Sequence, residues 1–386
     1  FRYVNTKMFT DNYFSYFARK CKENGLLSSI EPYHGPFECL AAGADYDVIM
    51  GEFWAPNNDV SQESATKIAA ASAHTHGQKF VGAEAFTSLP GPGRWQFHPA
   101  KIKVLGDRAF CIGINRYIFH TYAHQPWLDV EPGMTMGQWG THFDRTNTWW
   151  YQSKPWMKYI TSSQYLLGQG QFAADVLFFA GESIPNGNAI SQELKDSGYD
   201  YDVIGTDLIQ KLQVKDNLLT LPSGMQYKLL VMPETRFMTF KLAKKIESLV
   251  ENGAVVLGPK PKYSPSLVDY PRYDENLTRT ANQLWGESED GKVNKLHGDG
   301  RVMSRFTVLE ALEELNVTPD YVDLSDEPKT AFIHRKIDDA EVYFVSSQKD
   351  YANRARCSFR VSGKRPELWD AETGEIEPAP LWEMEN

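Results

Sequence analysis

Cysteine is scarce in this sequence: 386 residues carry four, Cys21, Cys39, Cys111 and Cys357, and no pair forms a CxxC. That excludes a disulfide-stapled miniprotein, a zinc ribbon and a dithiol redox motif, and leaves a few buried free thiols as the expectation. No apolar run approaches the ~18–20 residues that would cross a bilayer, and no basic stretch leads into an apolar signal core. Positive charge is in deficit, with 40 Lys plus Arg against 50 Asp plus Glu and a formal net charge of −10. So acidic a chain has no footprint for a phosphate backbone, and nucleic acid is excluded as the expected partner. There is also no GxSxG elbow, no HExxH, no GxGxxG after a strand and no P-loop, which removes the serine-hydrolase, zincin and nucleotide-binding readings.

What is present is apolar (42%) and aromatic (13%) enough to build large cores, and the length suits two to three domains of ~100–200 residues. Seven of the nine histidines and seven of the ten tryptophans precede residue 157, so the capacity for chemistry and ring stacking is concentrated there. In that region Leu26 to Ile30, Val48 to Met50, Phe80 to Ala83 and Phe110 to Ile114 read as strands, with an Ala-rich helix over Glu63 to His74. This is the βα rhythm of a parallel sheet or barrel. Each strand runs into polar, aromatic, Gly/Pro-rich sequence, and in (β/α)₈ barrels the C-terminal strand ends build the active site. A whole barrel takes ~250 residues; four strands in about 165 residues imply its C-terminal half, with the first half expected upstream of Phe1, as its partner.

The fold class expected is therefore α/β: a partial (β/α)₈ barrel over residues 1–168, a flavodoxin-like, glutamine-amidotransferase-like three-layer domain over 169–330, and the start of a β-sandwich over 331–386. The second unit rests on apolar strands at Val176, Tyr201, Tyr227 and Gly253 and a helix over Phe240 to Glu251. The third rests on alternating strands at Phe332, Val342 and Cys357.

Glu52 and Glu84 stand thirty-two residues apart, about one βα unit, in Met-Gly-Glu-Phe-Trp and Val-Gly-Ala-Glu-Ala-Phe. The two carboxylates therefore belong on neighbouring strand ends. A glycosidase needs two carboxyl groups around a sugar, and a carboxylate within a buried strand is costly unless paired or metal-bound. The structural alternative is an ion pair with Arg94 or Arg116. Glu31 is a third acid at a strand end, or simply a residue that orients its loop. Trp54 and Trp127 are the tryptophans best placed to stack on a sugar face, with Tyr33, Trp95, Trp139 and Trp149 as further flat surfaces. His120 and His124, four apart, look like half a metal site, but Pro126 argues for a loop, and hydrogen bonding to sugar hydroxyls or a carboxylate is the preferred reading. Tyr33, His34 and Asn115 complete the expected substrate-binding set.

At Gly51-Glu-Phe-Trp-Ala-Pro, Gly82-Ala-Glu-Ala-Phe-Thr, Phe97-His-Pro, the string from Gly113 to Trp127 and Pro132-Gly-Met-Thr-Met-Gly-Gln-Trp-Gly, the sequence resembles family 106 of the glycoside hydrolases, the α-L-rhamnosidases. The resemblance implies a barrel in a longer enzyme that inverts at the anomeric carbon, depends on calcium and cleaves rhamnose from plant or bacterial oligosaccharides and polysaccharides. It further implies Glu84 as the general base, Glu52 as an acid near calcium and the sugar hydroxyls, and a general acid on an earlier strand that has no match here. Export to the periplasm or the outside would suit such an activity. The rival readings are a retaining β-galactosidase-like barrel, with Glu52 or Glu84 as nucleophile, and a non-catalytic glycan-binding module.

Overall fold

The computed structural model describes residues 1–386 except 57–59, 132, 187–190, 269, 271, 288–290, 350 and 385–386; Pro132, which opens one of the motifs above, lies outside the described residues. Strands β1 (Ser29–Ile30), β2 (Val48–Ala55), β3 (Phe80–Ser88) and β4 (Arg116–Phe119) form one parallel sheet in chain order. The helix Val60–His76 connects β2 to β3, and Pro99–Ile112 connects β3 to β4. Residues Val48 to Gly51 are all buried, as expected of parallel strands covered on both faces. The expectation of a strand over Phe110 to Ile114 is corrected: these residues close the Pro99–Ile112 helix, Gly113 ends it at φ 124°, and the strand follows at Arg116. A short apolar run is equally compatible with a buried helix end, and here Ala109, Phe110 and Ile114 all face the core.

The Ala-rich helix is buried on both sides. Ala69, Ala70 and Ala73 pack into the core that contains Ile49 and Phe53, while Ile68 and Ala71 pack into a second core with Val176, Tyr201 and Val203. Small side chains allow that double contact: a Cβ at Gly51 would lie 2.5 Å from the carbonyl oxygen of Ala65, so helix and strand touch directly beneath Glu52. The helix is tied to the second unit by Lys67 Nζ, which donates to Tyr201 O at 2.6 Å, and by His74 Nδ1, 3.1 Å from Asp202.

That second unit is a sheet in the order Tyr201–Ile204, Val176–Phe179, Leu229–Val231, Val255–Leu257, Gly300–Ser304, all parallel, with Val293–His297 antiparallel at the far edge. Numbered along the chain, the five parallel strands run 2-1-3-4-5, a doubly wound order. The helix Phe240–Glu251 falls where its periodicity predicts, capped by Thr239, whose hydroxyl accepts from Leu242 N–H. Beyond residue 320 the strands are antiparallel. Thr330–Ile337 pairs with Ala340–Ser347 on one side and with Gln171–Phe172 on the other, and this hairpin covers the Pro99–Ile112 helix through Phe344 on Phe110 and Ser346 on Asp107. All four cysteines are free, with Cys39 and Cys111 buried.

Candidate active site

Four consecutive strand ends converge. Glu31 directly follows β1, Glu52 lies in β2, Glu84 in β3, and His120 directly follows β4. Glu52 and Glu84 are register partners, so the two carboxylates stand at one level on the same face of the sheet. Just beyond them the register slips: Phe53 pairs with Ala85 but Trp54 with Thr87, which leaves Phe86 as an extra residue at φ 63°. A buried phenylalanine in the left-handed region is held by its ring, which packs among Phe53, Tyr117, Phe119, Phe143 and Trp156. The bulge re-aims Thr87, whose hydroxyl donates a short hydrogen bond to Glu84 Oε1. From the other side His120 brings Nδ1 to 3.6 Å from the same oxygen.

Negative charge dominates this group. Although Glu31 keeps an exposed edge, protein atoms crowd its carboxyl and, with Glu84 and Glu52 nearby, push its pKa up to about 7. Tyr33 is half-buried; loss of solvation, then the charges of Glu52 and Glu31 and a hydrogen bond to Glu52, hold its hydroxyl protonated far above the ordinary range. Among the described residues no lysine or arginine pairs with Glu31, Glu52 or Glu84, and Arg116, offered by the sequence as a structural partner, lies over the Phe80 ring at 4.9 Å. The donor set is thus oxygen-rich and short of positive charge, which suits a hard cation such as calcium. These carboxylates do not bring three ligand atoms within 4.8 Å of one another; among the described residues that closeness is met by Glu247, Glu251 and His297, at the far edge of the second sheet.

Loop residues 120–131 and 133–143 fold across the strand ends. They are fastened by Thr121 N–H to Thr141 O (2.7 Å), Thr141 N–H to His120 O (2.9 Å) and Gly140 N–H to Ser88 O (2.9 Å). They include Trp139, set edge-on to Trp54 with ring centroids 6.0 Å apart, and Met136, whose Sδ lies 2.9 Å from His120 Nε2. Trp95, in the loop after β3, stacks on His142 at 3.9 Å. Burial lowers the His142 pKa, with Asp144 opposing and His120 adding to the shift.

Of the residues expected at the site, Glu52, Glu84, Tyr33, Trp54 and His120 come together. His34 stays exposed, with its ring against Tyr33. Asn115 is corrected: it is buried ahead of β4, at the opposite end of the strands, where it accepts from Val81 N–H and donates to the carbonyls of Lys79 and Leu167. His124 and Trp127 are exposed on the loop, where the Trp127 carbonyl accepts from Arg145. Trp149 is half-buried and packs against the core, its indole N–H bonded to Phe97 O. Thr87, Met136 and Trp139 do more than the sequence pattern promises. Only the Thr87 contact had a legible signal, a polar residue three beyond a strand-end acid.

A family model described as alpha-L-rhamnosidase, glycoside hydrolase family 106, matches residues 1–382. A Formosa agariphila protein named "Putative beta-glucuronidase" is 40% identical over 384 residues, which is 99% of this chain and 31% of that protein. The solved rhamnosidase of Novosphingobium sp. PP1Y superposes with a TM-score of 0.88 at 30% identity, over 98% of this chain and 37% of that one. A β-galactosidase from Bacillus circulans sp. alkalophilus superposes at 0.61 with 12% identity, over 96% of this chain and 64% of that one, a likeness of fold alone. The chain thus spans about a third of the length of the relatives it matches at 30% identity or above.

Proposed function

The chain belongs to the alpha-L-rhamnosidase family of glycoside hydrolases, family 106, and from that membership we propose that it supplies part of an active site that removes α-L-rhamnosyl residues from glycans with inversion. The observation that carries the reading is the convergence of Glu31, Glu52, Glu84 and His120 on four successive strand ends. Glu84 is the general base. Thr87 holds its Oε1 in place, and the carboxylate takes a proton from water as the oxygen attacks the anomeric carbon. The departing oxygen needs a proton from an acid on the opposite side of the sugar. In an inverting enzyme that acid stands ~6.5–9.5 Å from the base; Glu52, the register partner of Glu84, is read instead as a ligand for calcium and the sugar hydroxyls. The acid belongs to another part of the site.

We read the four parallel strands as half of a (β/α)₈ barrel, the layer behind them as flavodoxin-like and the antiparallel strands as the start of a sandwich. Calcium is part of the proposal: Glu52, with Glu31, would hold it, and it would neutralise the crowded carboxylates and orient the sugar hydroxyls. Trp54 and Trp139 supply an aromatic wall against the sugar. Export to the periplasm or beyond suits a polysaccharide degrader.

The pairing of Glu52 with Glu84 on adjacent strands leaves one second reading, a retaining pair of carboxyl groups in which one of the two is the nucleophile. Proton NMR of an aryl α-L-rhamnoside, hydrolysed by the full-length protein and read before mutarotation, separates the cases. The β-anomer, lost on chelation and regained with calcium, is expected. First appearance of the α-anomer would transfer the nucleophile role to Glu52 or Glu84. Hydrolysis of an aryl β-glucuronide instead would follow the name of the Formosa relative.

A further inference from the structure

Among the described residues, His120 Nδ1, beside Glu84, is a buried polar atom with no hydrogen-bond partner, and so is Thr141 Oγ1 in the same loop. The histidine is the informative one. Its Nε2 meets Met136 Sδ, and a thioether accepts hydrogen bonds but cannot donate them, so this contact favours the ring hydrogen on Nε2. The loop keeps the ring in place from behind: Gly140, at φ 89°, passes so close that a Cβ there would stand 3.1 Å from Nδ1. In the neutral ring Nδ1 is then a bare lone pair directed at Glu84 Oε1, 3.6 Å away. That oxygen already receives the Thr87 hydroxyl hydrogen. Two acceptors face one another with no hydrogen between them, and a water has two to give.

We propose that Met136 fixes His120 as its Nε2–H tautomer, and that Nδ1 and Glu84 together hold the attacking water. The inference rests on Glu84 being the general base. One hydrogen of the water points to Glu84 and is transferred as the O–H bond breaks. The other stays with the oxygen and is held by Nδ1, which turns the oxygen lone pair toward the anomeric carbon. As the new C–O bond forms, the glycosidic bond breaks; its electron pair goes to the leaving oxygen, which takes its proton from the second carboxylic acid that inverting hydrolysis requires. His120 is a catalytic residue in this scheme, and Met136 a positioning residue that acts through it.

The tautomer is read without any activity, from histidine-15N NMR at pH 7.5, with His120 assigned by loss of its signals in H120N. The expected spectrum has Nε2 protonated and Nδ1 bare, and M136L, which removes the acceptor, mixes in the Nδ1–H form. A wild-type imidazolium, which would be an ion pair with Glu84, or a wild-type Nδ1–H ring overturns the proposal. In the full-length protein M136L is expected to lower kcat about five- to tenfold, the worth of one modest hydrogen bond, with KM within twofold. M136Q, whose amide oxygen accepts the same hydrogen, restores most of the rate. H120N keeps an acceptor near Nδ1 and is expected to retain more activity than H120A. Equal losses in M136L and M136Q, or a loss carried by KM, would reduce Met136 to packing and refute its role. A wild-type protein with no rhamnoside hydrolysis would remove Glu84 as base and the water-holding half with it, while the nitrogen spectrum still identifies failure of the tautomer half.

Discussion

Changing Glu52 to glutamine tests the electrostatics of the strand ends through its neighbour Glu31. Protein crowding, Glu84 and Glu52 together take the Glu31 carboxyl from 4.5 to about 7. At 1.36 kcal/mol per tenfold change in proton affinity, that amounts to about 3 kcal/mol against the charged form. Glu31 has an exposed edge, so solvent screening reduces the stability effect to about 1 kcal/mol. The sign follows from linkage. Below pH 4.5 the carboxyl is protonated in both states and its contribution is fully present. Between 4.5 and about 7 the unfolded chain ionises first, so stability falls, and above 7 the contribution is gone. Carboxyl 13C NMR in the presence of a chelator, with E31Q as the assignment control, should therefore place the Glu31 midpoint near 7. E52Q should lower it without restoring the ordinary value, because crowding and Glu84 remain. Urea denaturation should show wild type losing about 1 kcal/mol more than E31Q between pH 5 and 7.5. A Glu31 midpoint near 4.5, or one that E52Q leaves unmoved, would refute the picture of three uncompensated carboxylates.

Glu84→Gln is expected to lower rhamnoside hydrolysis by about 10²–10⁴ while the denaturation midpoint stays unchanged, and near-normal rates would remove Glu84 from the mechanism. Gly51→Ala places a methyl 2.5 Å from Ala65 O and 2.8 Å from Thr66 Cα; a loss of about 1–3 kcal/mol in urea denaturation is expected, and an unchanged midpoint would mean that helix and strand can separate at no cost.

How much of this was legible in the sequence depended on which kind of signal each residue gives. Glu52 and Glu84 were placed on neighbouring strands because their separation equals one βα unit, and the register confirms that placement. The helix over Phe240–Glu251 announced itself by its amphipathic pattern, whereas its threonine cap is seen only in the structure. The strand at Phe110 was misread because a four- to five-residue apolar run has no period, and only Gly113 marked the boundary. Asn115 sits in a motif beside a strand, but polarity alone does not say which end of the strand it occupies, and here its amide joins backbones instead of facing solvent. The approach of Met136 to His120 joins residues sixteen apart through a loop closure that no local pattern encodes. The bulge at Phe86 is likewise invisible, since a phenylalanine is a poor marker for a positive φ.

The Val60–His76 helix belongs at once to the core under the carboxylates and to the core of the layer behind. A segment with two such faces cannot be inherited with only one of them. Recombination that exchanged the rear layer for a foreign one would present Ile68 and Ala71 with the wrong surface and would strip Lys67 and His74 of Tyr201 and Asp202. The natural unit of shuffling in this part of the chain is therefore the pair of layers, and crossover points for chimeras belong outside residues 48–204, away from the shared helix.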